Sequence, residues 1–522
     1  MNRSATTQTA GQAGRGMTGA PGNAQRSLQA LLADFGVPAP DVEVAGVETD
    51  SRRVSPGDLF LACRGRGTHG LAHLDQAIER GAAAVAWEPA AGWSQPQVDV
   101  PEIAVPRLSA RAGEIAARFF NRPSQRMFCT GVTGTDGKTS TAYLVAQALD
   151  RLGLPCAYIG TIGSGRVGAL EASTHTTPDA VSLQRRVAAL RDEGAQALAM
   201  EVSSHALDQS RIAGMHFDVA VLTNITRDHL DYHGTVEAYA AAKRRLFELP
   251  DLTAVVLNRD DAYGAAWTTA LETRAQRIVY GLDGPVPAGD AHVIGRELRL
   301  GADGIEMALD TSWGSATLRS RLLGRFNAYN LMATLGVLLA RGAALKTAVD
   351  ALAQVQTVPG RIEAFRGPAA APLIVVDYAH TPEALRQILS AVRAHARGRL
   401  YCVFGCGGDR DRGKRPLMGA AAASLADHLI VTDDNPRSES PQAIVGEILA
   451  GIPDAMRDAV RVIHDRAEAV RCAVEEAGAA DIVVVAGKGH EQTQTYGSEV
   501  RAFSDRALAA RLAGVAVPGG AA

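Results

Sequence analysis

The sequence predicts an α/β protein with three domains, and three observations support this fold class. The 522 residues are enough for about three hydrophobic cores. Short apolar runs alternate with amphipathic helical patterns, which is typical of mostly parallel sheets. A glycine-rich loop at residues 131–139 lies between an apolar run and a helical pattern, which is the arrangement of a phosphate-binding loop. We therefore expect a small N-terminal α/β domain, a central P-loop-type, mostly parallel sheet with helices on both faces, and a C-terminal doubly wound, Rossmann-like domain.

Composition and turn residues set the expected boundaries. Residues 1–26 are rich in Gly, Ala, Gln, Ser and Thr without periodicity, so they are predicted to be a disordered tail. Pro359, Gly360 and Arg361 follow a helical pattern and are the candidate hinge before the third domain. The expected segments are a tail at 1–26, an N-terminal domain at 27–124, a central domain at 125–359, a third domain at 360–515 and a tail at 516–522.

The overall composition excludes several classes of protein. Hydrophobic residues make up 47% and charged residues 21% of the chain, and a net charge of −3 gives no reason to expect nucleic acid or an anionic membrane as a partner. The six cysteines include no C-x-x-C pair, so neither a zinc site nor a disulfide framework is expected. No apolar run reaches the ~18 residues of a membrane span. These features predict a cytoplasmic protein.

In the N-terminal domain, apolar runs at 59–62, 83–87 and 103–105 predict strands, and residues 74–80 predict a helix. A polar cluster at residues 49–53 follows an apolar run. Taken alone, such a cluster is more often a turn than an anion-binding site.

The loop at residues 131–139 predicts a phosphate cradle at the start of the central domain. Gly134 and Gly137 allow backbone N–H groups to turn inward, and the next helix presents its positive end. Lys138 adds a point charge, and Thr139 has the hydroxyl that commonly binds Mg²⁺. The motif G-x-x-x-x-G-K-[ST] would place its first glycine at residue 132, which is Val132 here. The earlier glycines are Gly131 and Gly134 instead. The loop is therefore a variant of the common motif.

Polar residues expected near this cradle follow other apolar runs of the central domain. Glu201 ends the run at 195–200 and is a candidate carboxylate for a metal ion. Asp228, His229, Asp231 and His233 are four potential ligands in six residues; two histidines four apart also allow zinc, but the H-E-x-x-H order is absent and Mg²⁺ is favoured. Lys243 lies in a helical pattern, and nothing in that pattern gives it a role.

The rest of the chain predicts two further features. Alternating residues at 291–323 indicate antiparallel hairpins added to the central sheet. In the third domain, four apolar strands each lead into a charged loop, at residues 377–382, 405–410, 433–437 and 487–491. Because such loops share the carboxyl edge of a doubly wound sheet, their charges are expected to converge on one crevice.

At these segments the chain resembles the Mur ligase family. The resemblance is carried by residues 133–139, 201–205, 228–233, 377–382 and 487–491, and it extends from about residue 40 to residue 510. It implies three domains that bind a UDP-linked substrate, ATP and an incoming amino acid. It also implies an ATP-dependent amide ligase of peptidoglycan synthesis, most similar to the members that add meso-diaminopimelate to a UDP-muramoyl dipeptide through an acyl phosphate.

The resemblance assigns residues to the two nucleotide-linked substrates and the metal. Lys138, Glu201, His229 and Lys243 are the implied catalytic residues, with Lys243 carbamylated. The implied Mg²⁺ ligands are Thr139, Glu201, His229 and Lys243. The implied ATP-binding residues are Gly134, Thr135, Asp136, Gly137, Lys138, Thr139, Ser140 and Asn327. The implied residues for the UDP-linked substrate are Thr49, Ser51, Arg66, Gly67, Thr68, His175, Thr176, Thr177, Ser203, Gln209 and Arg211.

The resemblance also implies a specificity site in the third domain. Arg437 and Arg410 offer guanidinium groups for the distal carboxylate that distinguishes meso-diaminopimelate from L-lysine, and Glu491 would pair with the distal ammonium. The implied residues for diaminopimelate are Arg410, Asp434, Asn435, Pro436, Arg437, Gly487 and Glu491. Asp136 departs from the family pattern, since many relatives have an uncharged residue there.

Three alternatives stay open from the sequence. The chain could be a lysine-adding ligase of the same family, a ligase similar to folylpolyglutamate synthetase, or a non-catalytic ATP-binding protein. The N-terminal domain argues against the second, and the residues Glu201, His229 and Lys243 argue against the third.

Overall fold

The computed structural model describes residues 25–65, 67–173, 175–285 and 289–517. The chain divides into two compact units, Met1–Asn121 and Arg122–Ala522. The described ranges do not include residues 1–24 and 518–522 of the predicted tails, or Arg66, which is predicted to bind the UDP-linked substrate.

The first unit is a small α/β fold. Strands β3, β4, β5 and β6 form a parallel sheet in that order, and β1 pairs with β2 in antiparallel fashion. Phe60, Val85 and Trp87 lie in its core. The strands are β1 Arg26–Ser27, β2 Glu43–Val44, β3 Gly46–Glu48, β4 Asp58–Ala62, β5 Ala84–Trp87 and β6 Glu102–Ala104. The helices are α1 Leu28–Leu32, α2 Leu74–Glu79 and α3 Leu108–Phe119.

The predicted disordered tail at 1–26 is wrong at Arg26. This residue lies in β1 opposite Val44, and its guanidinium donates to the carbonyl of Phe119 and to Asn121 Oδ1. Composition could not show these bonds, because both partners are more than ninety residues away in the sequence.

The second unit contains two large sheets, and the first is built around the phosphate loop. In the described residues it has eleven strands in the order β10-β9-β8-β11-β7-β12-β13-β14-β15-β16-β17. In this order, neighbouring strands between β8 and β15 pair in parallel. The pairs at both ends of the sheet are antiparallel. The antiparallel strands β15, β16 and β17 confirm the hairpins predicted at 291–323. The strands are β7 Phe128–Thr133, β8 Cys156–Gly160, β9 Gly163–Arg166, β10 Ala169–Glu171, β11 Ala197–Glu201, β12 Val219–Leu222, β13 Ala254–Asn258, β14 Gln276–Leu282, β15 Ala291–Gly301, β16 Gly304–Thr311 and β17 Gly314–Ser320.

Helices cover both faces of this sheet. One apolar core packs α4 and α10 on one face, and a second packs α5 and α8 on the other. Because both faces are covered, the central strands are apolar on both sides instead of alternating. The helices are α4 Lys138–Arg151, α5 Ala180–Asp192, α6 Ser204–Asp208, α7 Leu230–His233, α8 Val236–Arg244, α9 Ala262–Ala270, α10 Arg325–Ala340 and α11 Leu345–Leu352.

The second sheet of this unit has the order β18-β19-β23-β20-β21-β22, and all its pairs after β18 are parallel. It is a doubly wound sheet, so the predicted fold class is confirmed. The strands are β18 Glu363–Arg366, β19 Leu373–Asp377, β20 Leu400–Phe404, β21 His428–Val431, β22 Arg461–Val462 and β23 Ile482–Ala486, with a separate hairpin of β24 Thr493–Tyr496 and β25 Glu499–Ala502. The helices are α12 Pro382–Arg393, α13 Lys414–Leu425, α14 Pro441–Leu449, α15 Asp454–Arg457, α16 Arg466–Glu476 and α17 Asp505–Ala513.

Two further features concern the cysteines and the helices. All six cysteines are free thiols. Across the ranges that the structure describes, every helix is too short or too polar to cross a membrane.

Candidate active site

The backbone between β7 and α4 forms a cradle that only glycine permits. Gly134 and Gly137 have φ values of +147° and +80°, a region that L side chains rarely adopt. A Cβ on Gly134 would lie 1.9 Å from Thr223 Oγ1, and a Cβ on Gly137 would lie 2.8 Å from Asn330 Oδ1. Gly137 precedes α4, whose first-turn N–H groups have no partner within the helix. The loop therefore offers a compact anion site at a helix N-terminus.

Residues after β12 hold this loop through its backbone. Thr135 N–H donates to the Asn224 carbonyl at 2.8 Å, and Asp136 N–H donates to Asn224 Oδ1 at 3.0 Å. Thr223 Oγ1 donates to the Asp136 carbonyl at 2.6 Å. The fixing bonds use the main chain of Asp136, and its side chain is exposed. The carboxylate of this unusual loop residue is thus left in solvent contact.

Glu201 is a fully buried carboxylate beside the cradle. Its Oε2 accepts from Thr139 Oγ1 at 2.8 Å, and its Oε1 accepts from Thr161 N–H at 2.8 Å and from the Tyr158 hydroxyl. Burial and the neighbouring carboxylate raise the pKa of Tyr158 well above its ordinary value, so this hydroxyl remains a donor. The sequence prediction missed Tyr158 and Thr161. Thr161 directly follows β8, a signal that could have been used, whereas Tyr158 lies within an apolar strand.

Two lysine amines lie at the loop. Lys138 Nζ donates to the carbonyls of Gly134 and Thr135 at 2.9 and 2.7 Å. Lys243 Nζ donates to the Gly134 carbonyl at 2.6 Å, is 1% exposed and lies 4.5 Å from the Tyr239 ring centre. Burial, and secondarily the charge of Lys138, lower the pKa of Lys243 well below its ordinary value. The helical pattern in the sequence assigned no role to Lys243, and it could not show that the amine is buried beside the cradle.

The segment at residues 228–233 brings aromatic rings to the same place. His229 has a left-handed backbone, with φ +52°, and its ring lies 4.8 Å from that of His205 and 6.1 Å from that of Tyr239. His233 Nε2 is 3.0 Å from Ser204 Oγ. His229 is about half exposed and remains accessible beside the cradle.

Helix α10 also supports the cradle. Asn330 Nδ2 donates to Asn327 Oδ1 at 2.9 Å, and Thr141 Oγ1 donates to Asn330 Oδ1 at 3.1 Å. Asn327 Nδ2 donates to the Leu323 carbonyl at 2.7 Å and is buried. Asn327 thus reaches the loop through Asn330, which the sequence prediction did not include.

A cavity of about 330 Å³ lies at the cradle and is lined also by Glu201, His229 and Lys243. Arg361, from the predicted hinge, also lines it. Among the described residues, no three His, Cys, Asp or Glu side chains are close enough to hold a metal by themselves. The cavity lining is Thr135, Asp136, Gly137, Lys138, Thr139, Ser140, Thr161, Thr176, Glu201, Ser203, Ser204, His229, Tyr239, Lys243 and Arg361.

A second hydrogen-bonded group extends from Glu201. Thr177 Oγ1 donates to the Glu201 carbonyl at 2.9 Å, and Arg211 donates to the Thr177 carbonyl at 3.0 Å and to Gln209 Oε1 at 2.6 Å. Thr176 and Ser203 line the cavity itself. His175 is exposed, and its N–H donates to Ser173 Oγ at 3.4 Å.

The first unit contains the other residues predicted for the UDP-linked substrate. Asp50 caps the short 3₁₀ helix Ser51–Arg53 by accepting from Arg52 N–H at 3.0 Å. Ser51 Oγ donates to Gln76 Oε1 at 2.7 Å. Gly67 and Thr68 are exposed in the loop after β4, and Thr49 is partly exposed. The cluster at 49–53 is a capped turn, as expected from its composition, and its substrate role stays a prediction.

In the second sheet, the strand-end loops converge as predicted. A Cβ on Gly407 would lie 2.9 Å from Arg437 Nη1 and 3.7 Å from Arg410 Cγ, so both arginines border this loop. Arg437 also donates to the Gly408 carbonyl at 2.7 Å, and its backbone is left-handed with φ +53°. Pro436 is buried just before it.

Deeper in the same crevice, charges are paired. Asn435 Nδ2 donates to Glu491 Oε2 at 3.0 Å, and Lys488 Nζ donates to the same oxygen at 2.8 Å. Asp434 lies beside Gly487, where a Cβ would be 2.7 Å from Oδ2. Burial raises the pKa of Asp434. Burial also acts to raise the pKa of Glu491, but the hydrogen bond and the charge of Lys488 outweigh it, so the pKa of Glu491 is lowered.

Three family models match the chain. They are the Mur ligase family catalytic domain at residues 43–120, the Mur ligase middle domain at 132–338, and the Mur ligase glutamate ligase domain at 360–489. The chain belongs to the Mur ligase family.

Two related sequences and one solved structure are similar to the chain over most of its length. A UDP-N-acetylmuramoyl-L-alanyl-D-glutamate–2,6-diaminopimelate ligase of Alkalilimnicola ehrlichii is 52% identical over 477 residues, covering 90% of this chain and 94% of the relative. The ligase of the same name from Pseudomonas aeruginosa is 49% identical over 475 residues, covering 90% and 96%. A solved structure with this name superposes with a TM-score of 0.75 at 35% identity, covering 94% of this chain and 99% of the other.

Proposed function

We propose that this chain is an ATP-dependent ligase that adds meso-diaminopimelate to UDP-N-acetylmuramoyl-L-alanyl-D-glutamate in peptidoglycan precursor synthesis. The observation that carries the proposal is the glycine cradle with Thr139, Glu201 and Lys243 gathered around it. The 52% identity to a ligase of this name supports it over a ligase similar to folylpolyglutamate synthetase. The free thiols and small-molecule substrates fit a cytoplasmic enzyme.

The cradle fits the phosphates of ATP. A Cβ at Gly134 or Gly137 would press against Thr223 or Asn330 and displace the loop, and Lys138 adds a partly buried cation. Thr139 and Glu201 supply a hydroxyl and a carboxylate, which are oxygen ligands suited to Mg²⁺. Together with His229 and carbamylated Lys243, they would hold Mg²⁺, which would spread negative charge during phosphoryl transfer.

The proposed reaction has two steps. The side-chain carboxylate of D-glutamate attacks the γ-phosphorus of ATP, ADP leaves, and an acyl phosphate forms. The amine of diaminopimelate then attacks the acyl carbon, and collapse of the tetrahedral adduct releases phosphate and leaves an amide. Lys138 would stabilise the charge that develops on the phosphoryl oxygens in the first step.

Lys243 has the environment that carbamylation requires. A neutral amine is the form that attacks CO₂, with loss of a proton to give a carbamate, and the lowered pKa of buried Lys243 favours that form. The product is an anion, which would turn this cationic position into an oxygen ligand beside the cradle.

The incoming amino acid would be recognised in the second sheet. Arg437 and Arg410 border the Gly407 loop and offer guanidinium groups to a distal carboxylate. L-Lysine lacks that carboxylate and would leave these donors unpaired, which sites of this kind reject by roughly 10⁴ or more.

The test is ADP formation by the purified full chain with the UDP-linked dipeptide and either meso-diaminopimelate or L-lysine. We expect ADP and the tripeptide product with diaminopimelate only. Equal or better use of L-lysine contradicts the proposed specificity, and absence of ADP with both amino acids contradicts the proposed reaction.

A further inference from the structure

Lys488 is a fully buried lysine in the crevice formed by the strand-end loops of the second sheet. It is 0% exposed and lies just after β23. Burial of an ammonium group is costly unless the group is paired and hydrogen-bonded. Its Nζ donates to Glu491 Oε2 at 2.8 Å and to Asn435 Oδ1 at 3.1 Å. Both partners belong to the set predicted for the incoming amino acid.

The bonds around Lys488 fix the orientation of Glu491. Its Oε2 receives both the Lys488 ammonium and Asn435 Nδ2, at 2.8 and 3.0 Å. Within the part of the chain that the structure describes, no hydrogen bond reaches Oε1, and the Glu491 side chain is 32% exposed. One oxygen is therefore anchored, and the other is available to a ligand.

Asn435 is fixed by the same lysine. Its Oδ1 accepts from Lys488 and from Thr495 N–H, at 3.1 and 3.0 Å, which leaves its Nδ2 aimed at Glu491. A separate buried pair, Arg466 with Asp505 at 2.8 Å, satisfies its own charges nearby. Lys488 is thus the cation specific to Glu491 and Asn435.

We propose that Lys488 is a positioning residue that holds Glu491 and Asn435 for the distal ammonium of the incoming amino acid. This inference rests on the proposed function, because it assigns Lys488 to the amino-acid site of that reaction. A purely structural ion pair would need neither a shared acceptor oxygen nor a second oxygen that accepts no hydrogen bond from the described residues, on a side chain that is 32% exposed. An apolar side chain of similar length would fill the same space with no desolvation cost.

The test is a double-mutant cycle with Lys488→Met and Glu491→Gln. We expect Lys488→Met to raise the KM for meso-diaminopimelate about tenfold to a hundredfold, as for loss of a charged hydrogen bond, with the KM for ATP changed less than about twofold. In the Glu491→Gln background, Lys488→Met should have little further effect, because its partner carboxylate is gone. Lys346→Met, an exposed lysine on α11 paired with Asp350, is the matched control and should leave both KM values unchanged.

Other results overturn the inference. Equal increases in both KM values, or effects that multiply in the double variant, mean that Lys488 only supports folding. If Lys488→Met does not fold, Lys488→Gln replaces it in the same cycle, and the same absence of coupling is decisive. Failure of the proposed function is seen separately, since wild-type protein would then form no ADP with diaminopimelate.

Discussion

The loop at residues 134–137 and the crevice around Lys488 both prepare places for charged ligands, but they do so with different parts of the chain. The loop uses main-chain groups, positive φ values and the absence of Cβ atoms at Gly134 and Gly137. The crevice uses paired side chains, with Lys488 bonded to both Asn435 and Glu491.

This difference determines how each region can change during evolution. A main-chain cradle binds any phosphate of the right shape, so it suits a cosubstrate shared across a family. A network of side-chain charges can be altered one residue at a time, so it suits selection between amino acids that differ by one carboxylate. We infer that the cradle carries the reaction and the crevice carries its specificity.

The largest effect is expected at Lys243. Lys243→Ala removes the carbamate that the proposed reaction needs and should lower turnover by about a hundredfold to a thousandfold or more. Phosphate release at saturating Mg²⁺ measures it, and added short carboxylates should restore part of the activity. Lys346→Ala is the control, since the Lys346 side chain is 88% exposed. Near-normal turnover of Lys243→Ala would place the metal chemistry elsewhere.

A backbone change in the cradle should have the next largest effect. Gly134→Ala puts a Cβ 1.9 Å from Thr223 Oγ1 in a φ region that strains any side chain, so the loop must move. A displacement of this size should cost about a hundredfold in kcat/KM for ATP. Gly446→Ala is the control. Gly446 lies on α14, and a Cβ added to it would meet nothing within 4 Å. Similar kinetics for both variants would argue against a rigid cradle.

In the crevice, the expected effect is on selectivity. Arg437→Ala removes a guanidinium donor for the distal carboxylate and should raise the KM for meso-diaminopimelate about tenfold to a hundredfold, with nucleotide binding unchanged. Arg386→Ala, an exposed arginine paired with Glu383, should change neither value. Unchanged preference over L-lysine in Arg437→Ala would transfer the specificity to Arg410 or to another part of the protein.

The sequence predicted the cradle better than the crevice, and the reason is physical. Glycines, a lysine-threonine pair and a following helix are local, so the loop at 134–139 could be recognised from consecutive residues. The support for Glu201 from Tyr158 and Thr161 crosses forty or more residues, and no periodicity marks it. Lys488 was visible as part of a charged loop, but its burial depends on how four strand ends meet.

The smallest expected effect concerns a contact between the two sheets of the second unit. His395, 1% exposed after α12, accepts from Gly324 N–H through Nε2 at 2.8 Å, and its Nδ1 lies 2.7 Å from the Gly301 carbonyl. This pairing requires the neutral imidazole with its proton on Nδ1. Gly324 directly precedes α10, which carries Asn327 and Asn330 to the cradle.

The pH dependence of stability should reveal this contact. Burial lowers the pKa of His395 below its ordinary value of 6.5, and Arg366 adds to this effect. As pH falls below about 6.5, this histidine binds a proton in the unfolded chain before it does so in the folded chain. The contribution of His395 to stability is therefore complete above about pH 6.5 and decreases as the pH falls below it. His395→Gln, which keeps a donor and an acceptor, should lose less Tm than wild type between about pH 7 and pH 5, by a few degrees at most. His73→Gln, at an exposed histidine of the first unit, should retain the wild-type slope. If the Tm of His395→Gln falls with pH as steeply as that of wild type, the acid sensitivity arises from other groups. The hydrogen bonds of His395 to Gly324 and Gly301 then contribute nothing measurable to stability.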